Sequence, residues 1–269
     1  MRNVDRGSVP IPINLQTLHT NQANYQAELD YIRTGNSAKS SIYGGDDVKD
    51  SLRTLYICKC YLCGKDVSTY FEIEHFLPWH SNYPERAYDW GNLHLSCKAC
   101  NTRKRKKKYK KMNATGGVEC MYLLCPTVDN INNQISYNHT TSEAENLNTG
   151  NYTAQLTSDF LNEQDCKTDR INHLRTLQEL LLSMEWFSSY CALRASNINS
   201  IEPIDFSIHE NDSAGNLSYR ILSSYLCKSA PFYTFTHTVF EDSFHLNKEV
   251  IYLFCRLWCQ FKNRPCPTW

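Results

Sequence analysis

The sequence predicts an α+β fold, in which a small central core is embedded in mostly α-helical N- and C-terminal extensions. Two Cys-x-x-Cys pairs mark the ends of that core, Cys60 with Cys63 and Cys97 with Cys100. Between them the alternating segment 71–75 predicts a short strand. The spacing within each pair lets two thiolates bind the same tetrahedral ion, and four thiolates leave no position open for water. We therefore expect a structural zinc ion that holds the core together.

Composition places the chain among ordinary globular proteins, with 269 residues, 41% of them hydrophobic and 21% charged. No stretch approaches the roughly 18 apolar residues of a membrane helix. The first ten residues lack the apolar centre of a signal peptide, so we expect a cytoplasmic protein. Cysteines in that compartment are reduced, and close pairs are expected to bind metal rather than form disulfides.

The chain contains 13 cysteines, of which four form the two pairs. The other nine show no second matched pair, and we expect small buried hydrophobic residues or surface thiols. They are Cys58, Cys120, Cys125, Cys166, Cys191, Cys227, Cys255, Cys259 and Cys266.

Four segments are predicted: a helical docking segment at 1–56, the zinc-bound core at 57–112, a strand, loop and long amphipathic helix at 113–200, and a helical extension at 201–269. Residues 1–20 are expected to form a loop or a docking segment, and 138–151 an exposed loop. The other predicted elements follow from periodicity and from glycine, proline and asparagine signals. They are helices at 21–33, 46–56, 168–190, 217–227 and 248–261, a strand at 118–124 and a linker at 202–215. The long helix carries an apolar stripe that includes Leu174, Leu181, Met184 and Phe187.

Charge is unevenly distributed although the formal net charge is zero. Nine of the fourteen residues from Lys98 to Lys111 are basic, which predicts contact with nucleic-acid phosphates, the alternative being a solvated surface. The residues expected to make this contact are Arg103, Lys104, Arg105, Lys106, Lys107, Lys108, Lys110 and Lys111. On one continuous helix, positions 101, 104, 105 and 108 would share a face.

Three residues between and beside the zinc pairs suit phosphodiester cleavage. Glu74 and His75 end the predicted strand, and Asn101 follows the last cysteine. A neutral imidazole can activate water, while a carboxylate and an amide oxygen suit a hard cation such as Mg²⁺. We therefore expect Glu74 and Asn101 to bind one catalytic divalent ion and His75 to be the base. His94 is more simply explained by a structural role, and the role of His80 stays open.

These residues resemble the HNH, or ββα-metal, nucleases that carry a zinc knuckle. The resemblance implies that His75 is the general base and that Glu74 and Asn101 are metal ligands. It also assigns Asn92 to the middle asparagine, which steadies the loop carrying the histidine.

A narrower resemblance covers Ile-Glu-His-Phe-Leu-Pro at 73–78 and Tyr-Asp-Trp-Gly-Asn-Leu-His-Leu-Ser-Cys at 88–97. Both segments are similar to the HNH subunits of Septu anti-phage defence systems, the PtuB type, which also occur beside retron reverse transcriptases. The resemblance implies an ABC-type ATPase partner of the PtuA type, with an HNH subunit that cuts DNA or RNA. The chain departs from that family where Arg105 and further lysines replace a usual glycine and where Cys125 replaces an acidic residue.

Two other hypotheses remain at this point. The first is a zinc-knuckle module that binds nucleic acid or a partner without cutting, although such a module has no need of Glu74, His75, Asn92 and Asn101 together. The second is a stand-alone restriction or homing nuclease, which would normally carry a sequence-reading domain.

Overall fold

The structure is a computed structural model that describes residues 1–138, 140–182, 189, 204–227, 229–243 and 248–267. The chain forms two compact units. The first comprises Met1–Ser136 and Ala144–Glu163, and the second comprises Tyr137–Glu143 and Gln164–Trp269. Among the described helices, none combines the length and the apolar character needed to cross a membrane. The four-segment division proposed from the sequence stays a prediction.

The first unit begins with four helices: α1 (Ile13–Thr20), α2 (Gln22–Arg33), α3 (Ser40–Tyr43) and α4 (Asp46–Tyr56). The prediction of a loop over residues 1–20 was wrong for α1. Leu15 and Leu18, three positions apart, are both buried, and Pro12 immediately precedes the helix. Two apolar residues at helical spacing suffice here because tertiary packing buries them.

Helix α4 delivers the chain to the first cysteine pair, as predicted. Its apolar stripe is buried, including Val48 and Leu52 at 0% exposure. The cap position of this helix is Gly45, which has no side chain to accept the first N–H groups. The Asp47 carboxylate instead accepts hydrogen bonds from the backbone N–H (2.8 Å) and side-chain amide (2.7 Å) of Asn14, and so joins the starts of α1 and α4.

The core consists of two antiparallel strands, β1 (Glu72–His75) and β2 (Leu93–Ser96), followed by helix α5 (Lys98–Lys104). In the hairpin Glu74 pairs with His94 and His75 with Leu93. The α+β class is confirmed, with small hairpins in this region and helices on both sides. The helix is shorter than expected: it ends at Lys104, and Lys107–Tyr109 forms a separate 3₁₀ turn. Positions 101, 104, 105 and 108 therefore do not lie on one continuous helix.

The rest of the first unit contains short strands and one further helix. Strand β3 (Lys110–Met112) pairs with β4 (Val118–Met121). Strand β4 is three residues shorter than the strand predicted at 118–124. A third hairpin pairs β5 (Ile135–Tyr137) with β6 (Ala144–Asn146), and β6 lies inside the segment 138–151 that is predicted as an exposed loop. Helix α6 (Tyr152–Asn162) follows, with Phe160 and Leu161 fully buried.

The second unit is helical, with α7 (Gln164–Leu182), α8 (His209–Ile221), a π-helical turn (Leu222–Leu226), α9 (Tyr233–Ser243) and α10 (Lys248–Phe261). Helix α10 confirms the predicted boundaries, and Leu174 on the predicted stripe of α7 is buried. The predicted continuation of α7 through Met184 and Phe187 lies outside the described residues, as does Cys191.

The predicted linker at 202–215 was wrong from His209 onward, because α8 begins there. Gly215, the last residue of the predicted linker, lies within this helix. A Cβ at this position would come within 2.3 Å of the Trp258 ring on α10, so the glycine permits two helices to pack closely. Sequence reasoning mistook a packing glycine for a chain breaker.

Candidate active site and metal centres

The two cysteine pairs converge as predicted. The four sulfurs of Cys60, Cys63, Cys97 and Cys100 all lie within 4.8 Å of one another, with 3.9 Å between Cys63 and Cys97. Four sulfurs bound tetrahedrally at about 2.3 Å from one ion would be about 3.8 Å apart, so the cluster fits zinc in size and in donor type. This four-cysteine site is consistent with structural zinc.

Local backbone geometry explains how the pairs form. Gly64 adopts φ +79°, the left-handed conformation that glycine tolerates after a knuckle. On the other side, the Cys97 sulfur caps α5 by accepting the Cys100 N–H at 3.4 Å. Burial opposes ionisation of Cys60, but hydrogen bonds from the other three cysteines outweigh it, and the pKa of the Cys60 thiol falls well below its usual value. These are the properties expected of a thiolate cluster that binds a cation.

Strand β1 carries two acidic residues, Glu72 and Glu74, and ends with His75. Successive side chains on a strand point to opposite faces, so Glu72 and Glu74 share one face and His75 belongs to the other. Because His75 is the last residue of the strand, its ring lies where the chain enters the loop that follows.

The His75 imidazole is held in one orientation. Its Nε2 lies 3.0 Å from the carbonyl oxygen of Ala87, and the Tyr43 ring packs edge-on at 4.8 Å between centroids. A carbonyl can only accept, so Nε2 carries the proton and Nδ1 keeps its lone pair in the neutral ring. Burial lowers the pKa of His75 to about 4, although the bond to Ala87 raises it in part. The ring is therefore neutral near pH 7, with an unprotonated Nδ1.

Asn92 holds the loops that surround the imidazole. Its Oδ1 accepts the Leu77 N–H at 2.7 Å, and its Nδ2 donates to the carbonyls of Leu77 (2.8 Å) and Arg86 (2.9 Å). Leu77 lies just after His75, and Arg86 just before the Ala87 carbonyl that orients the ring. These three hydrogen bonds link Asn92 to both loops, which is the geometry that the expected steadying role requires.

Glu74 is 5% exposed, and both carboxylate oxygens are engaged. One accepts a 2.7 Å hydrogen bond from the Tyr61 hydroxyl, and the other forms a close ion pair with Lys104. The Lys104 ammonium also donates to the His75 backbone carbonyl at 2.7 Å. Burial raises the pKa of Glu74 and lowers that of Lys104, although each partner opposes the shift of the other. The carboxylate thus binds a cation already, one supplied by the chain itself.

Asn101 lies near a carboxylate that sequence reasoning missed. Its Nδ2 donates to Glu72 at 2.7 Å, which leaves its Oδ1 as the atom able to bind a metal. The structure thus joins Asn101 to Glu72 through a hydrogen bond, and joins Glu74 to Lys104. Strand alternation was the signal that could have identified Glu72, since it lies two residues before Glu74 on the same face.

Glu72 also lines a cleft in the first unit. The cleft lies between α3, one side of α4 and the segment leading into β1, with Ser40, Tyr43, Lys49, Arg53 and Tyr70 among its other residues. Tyr43 is also the residue that packs on His75. The cleft therefore reaches both the carboxylate beside Asn101 and the aromatic neighbour of the imidazole.

His94 and His80 have different surroundings. His94 is fully buried, its Nδ1 lies 2.6 Å from the Tyr56 hydroxyl, and the Tyr61 ring packs 4.6 Å away. These contacts favour a structural role. His80 is exposed, and its Nδ1 lies 3.1 Å from the Ser81 hydroxyl.

The basic run divides into buried and exposed side chains. Arg103 and Lys104 are 6% and 3% exposed, whereas 105–108 and Lys111 are exposed and Lys110 is half-buried. Glu163, which sequence reasoning also missed, accepts Lys106 (2.7 Å), Arg103 (3.1 Å), Lys108 (3.2 Å) and the Tyr109 hydroxyl (2.9 Å). Burial opposes ionisation of Glu163, yet these partners lower its pKa to about 2.

Some exposed cations of the run have no internal carboxylate partner. Lys111 pairs with Glu119 at 2.8 Å, but in the described part of the chain Arg105 and Lys107 form no ion pair. These two side chains are the most available for an external anion.

Comparison with known proteins agrees with this geometry. Residues 60–107 match the family model described as HNH endonuclease, and this stretch is an HNH endonuclease domain. The chain is similar to the Septu protein PtuB of Bacillus thuringiensis, with 33% identity over 117 residues, which are 42% of this chain. The matched region spans 40% of that relative's length. The resemblance inferred from the motifs is confirmed as a distant homology.

Proposed function

We propose that this protein is a metal-dependent endonuclease that cleaves phosphodiester bonds of nucleic acid, with His75 as the general base. The observation that carries the proposal is the bond between His75 Nε2 and the Ala87 carbonyl, because it leaves Nδ1 as a proton acceptor. The three hydrogen bonds of Asn92 hold the two loops that create this arrangement. A protein that only bound nucleic acid would gain nothing from a fixed tautomer.

The catalytic cation is proposed to be Mg²⁺ or another divalent ion. Glu74 and Asn101 were predicted as its ligands, and Glu72 is added because it is bonded to Asn101. Carboxylate and amide oxygens are the donors that such hard cations prefer, and an ion bound at Glu74 would take the place of the Lys104 ammonium that now pairs with this carboxylate. When bound, a divalent ion stabilises charge that develops on the phosphate and the leaving oxygen.

Substrate binding is assigned to the exposed part of the basic run. Arg105 and Lys107 are the leading candidates for phosphate contact, followed by Lys106, Lys108, Lys110 and Lys111. Arg103 and Lys104 are better placed to support the site from within, because both are buried beside carboxylates. Contacts of this type bind the backbone and do not distinguish bases.

The similarity to PtuB supports a role as the effector subunit of an anti-phage defence system. We propose an ABC-type ATPase of the PtuA type as its partner, with a retron reverse transcriptase and its nucleic-acid product as further candidates. Co-purification of the full chain with such an ATPase tests this assignment. Failure to bind would contradict the partner and leave the proposed chemistry untouched.

The experiment on the chemistry compares His75→Ala with His80→Ala on single- and double-stranded DNA and RNA in the presence of Mg²⁺. Loss of a general base typically lowers the rate by about 10² to 10⁴. His80 is a matched control because it is exposed and only five residues away. His75→Ala is expected to lose cleavage and keep binding, and His80→Ala to retain both. Near-normal cleavage by His75→Ala would contradict the assignment, and binding without cleavage by the unaltered protein would favour a binding module.

A further inference from the structure

The helical second unit contains a cluster of three cysteines that no motif in the sequence marks as a pair. The sulfurs of Cys255, Cys259 and Cys266 all lie within 4.8 Å of one another. The Cys255 sulfur is 4.0 Å from that of Cys259 and 3.5 Å from that of Cys266. These cysteines were expected to be small buried hydrophobic residues or surface thiols, and the structure brings their sulfur atoms together.

Two features of α10 and its end create the cluster. Cys255 and Cys259 are four residues apart on the helix and therefore share a face. Beyond the helix Asn263 adopts φ +48°, its N–H bonds the Gln260 carbonyl, and the Arg264 N–H bonds the Cys259 carbonyl. This pattern is a Schellman cap, which reverses the chain. The reversal carries Cys266 back beside the helix.

Contacts around the cap hold the reversed tail in place. The Arg264 guanidinium lies 3.8 Å from the centre of the Tyr219 ring and 5.2 Å from that of Trp258. Lys262 forms an ion pair with Asp212 at 2.9 Å, and Asp212 also accepts the Trp258 indole N–H at 2.7 Å. The position of Cys266 is therefore supported by side chains other than the cysteines.

We propose that Cys255, Cys259 and Cys266 form a second metal site, which takes a thiophilic d¹⁰ cation, Zn²⁺ or Cu⁺. Three sulfurs at about 2.3 Å from one ion in a plane are about 4.0 Å apart, close to the separations observed. Thiolates select Zn²⁺ and Cu⁺ over hard cations such as Mg²⁺. Cys255 and Cys259 are buried and Cys266 is half-buried, so solvent can reach the cluster from one side and supply a fourth ligand to zinc. The ion would tie the tail to the last helix.

Metal content of the full chain is the test, measured by elemental analysis after exposure to Zn²⁺ or, in separate anaerobic samples, to Cu⁺, and then desalting. We expect about two ions per chain for the unaltered protein and about one for Cys255→Ala/Cys259→Ala/Cys266→Ala, which retains the four-cysteine site of the first unit. Cys227→Ala is the matched control, because Cys227 is buried in the same unit but its sulfur contacts Ser223 and Ser229 rather than this cluster. It is expected to retain both ions.

A single substitution tests the same site in case the triple variant does not fold. Cys266→Ser alters only the tail, and should weaken binding of the second ion by more than the roughly 10- to 100-fold that loss of an outer partner costs. Cobalt substitution provides a second readout, because sulfur-to-cobalt charge-transfer absorption grows with the number of bound thiolates. One ion per chain in the unaltered protein, equal to the triple variant, would overturn the proposal. A Cys255–Cys266 disulfide in place of a second ion would overturn it as well.

Discussion

Replacing Lys104 with methionine should destabilise the nuclease core strongly, although lysine is usually a surface residue. Lys104 is 3% exposed and donates to two acceptors, the Glu74 carboxylate and the His75 carbonyl. Removing it leaves a buried carboxylate whose remaining hydrogen bond comes from Tyr61. Breaking one side of a buried ion pair costs about 3 to 5 kcal/mol. Methionine fills a similar volume, so the loss reports the missing charge and not a cavity.

Hydrogen exchange at the β1 amides measures this effect locally, so the second unit does not obscure it. A cost of about 3 to 5 kcal/mol corresponds to exchange that is about 10² to 5 × 10³ times faster at amides that exchange only when the core unfolds. Samples should be saturated with zinc so that occupancy of the four-cysteine site is constant.

Two further variants make the comparison specific. Lys106→Met removes a half-exposed partner of Glu163 from the same basic run, and should change stability by about 1 kcal/mol or less. The double variant Glu74→Gln/Lys104→Met removes both charges and should recover much of the loss. Exchange in Lys104→Met that matched the unaltered protein would refute the reasoning, because it would mean that the pair does not form in solution.

Three other outcomes are expected. Asn92→Ala should lower kcat about 10²-fold with little change in KM, because it frees the loops that orient the base, and steady-state cleavage assays measure both constants. His173→Gln should reduce the acid sensitivity of the second unit, since burial lowers the pKa of His173 to about 4 from 6.5. The folded state disfavours its protonated form, so stability present above about pH 6.5 is lost as pH falls toward about 4, up to roughly 3 kcal/mol, and denaturant titrations across this range measure it. Arg105→Gln/Lys107→Gln should weaken nucleic-acid binding and flatten its log–log salt dependence by about 1.4 to 1.8, the contribution of two phosphate contacts.

Each of these expectations has a contradicting result. An Asn92→Ala protein with an unchanged kcat would show that the loops keep their positions without it. A His173→Gln protein with the same pH dependence as the unaltered chain would place the acid-sensitive group elsewhere. An unchanged salt slope for the double variant would make the exposed basic run a solvated or partner-binding surface.

The sequence alone identified the parts of this protein whose chemistry depends on local spacing. Two Cys-x-x-Cys pairs predicted the four-cysteine cluster, because a spacing of two residues lets both thiolates of a pair bind the same ion. The order of Glu74, His75, Asn92 and Asn101 between and beside those pairs was sufficient to indicate an HNH domain. Helices α2, α4 and α10 were predictable because each buries one stripe of a regular period.

Only the tertiary structure decided which side chains of the site meet. Lys104 was expected at an exposed phosphate-binding surface, but it is buried beside Glu74. A lysine can be buried where its ammonium forms an ion pair with a carboxylate. Glu163 lies more than fifty positions beyond the basic run, so no local pattern could show that it binds Arg103, Lys106 and Lys108.

The second cysteine cluster shows the same limit. The i, i+4 spacing of Cys255 and Cys259 is visible in the sequence, but the approach of Cys266 depends on a left-handed residue, Asn263, that turns the chain back. Gly215 is a related case, since the need for glycine there arises from the Trp258 ring of another helix. Local sequence encodes periods, spacings and caps, whereas contacts between distant residues follow from the free energy of packing the whole unit. That free energy decided the partners of Glu74, Asn101 and Cys266.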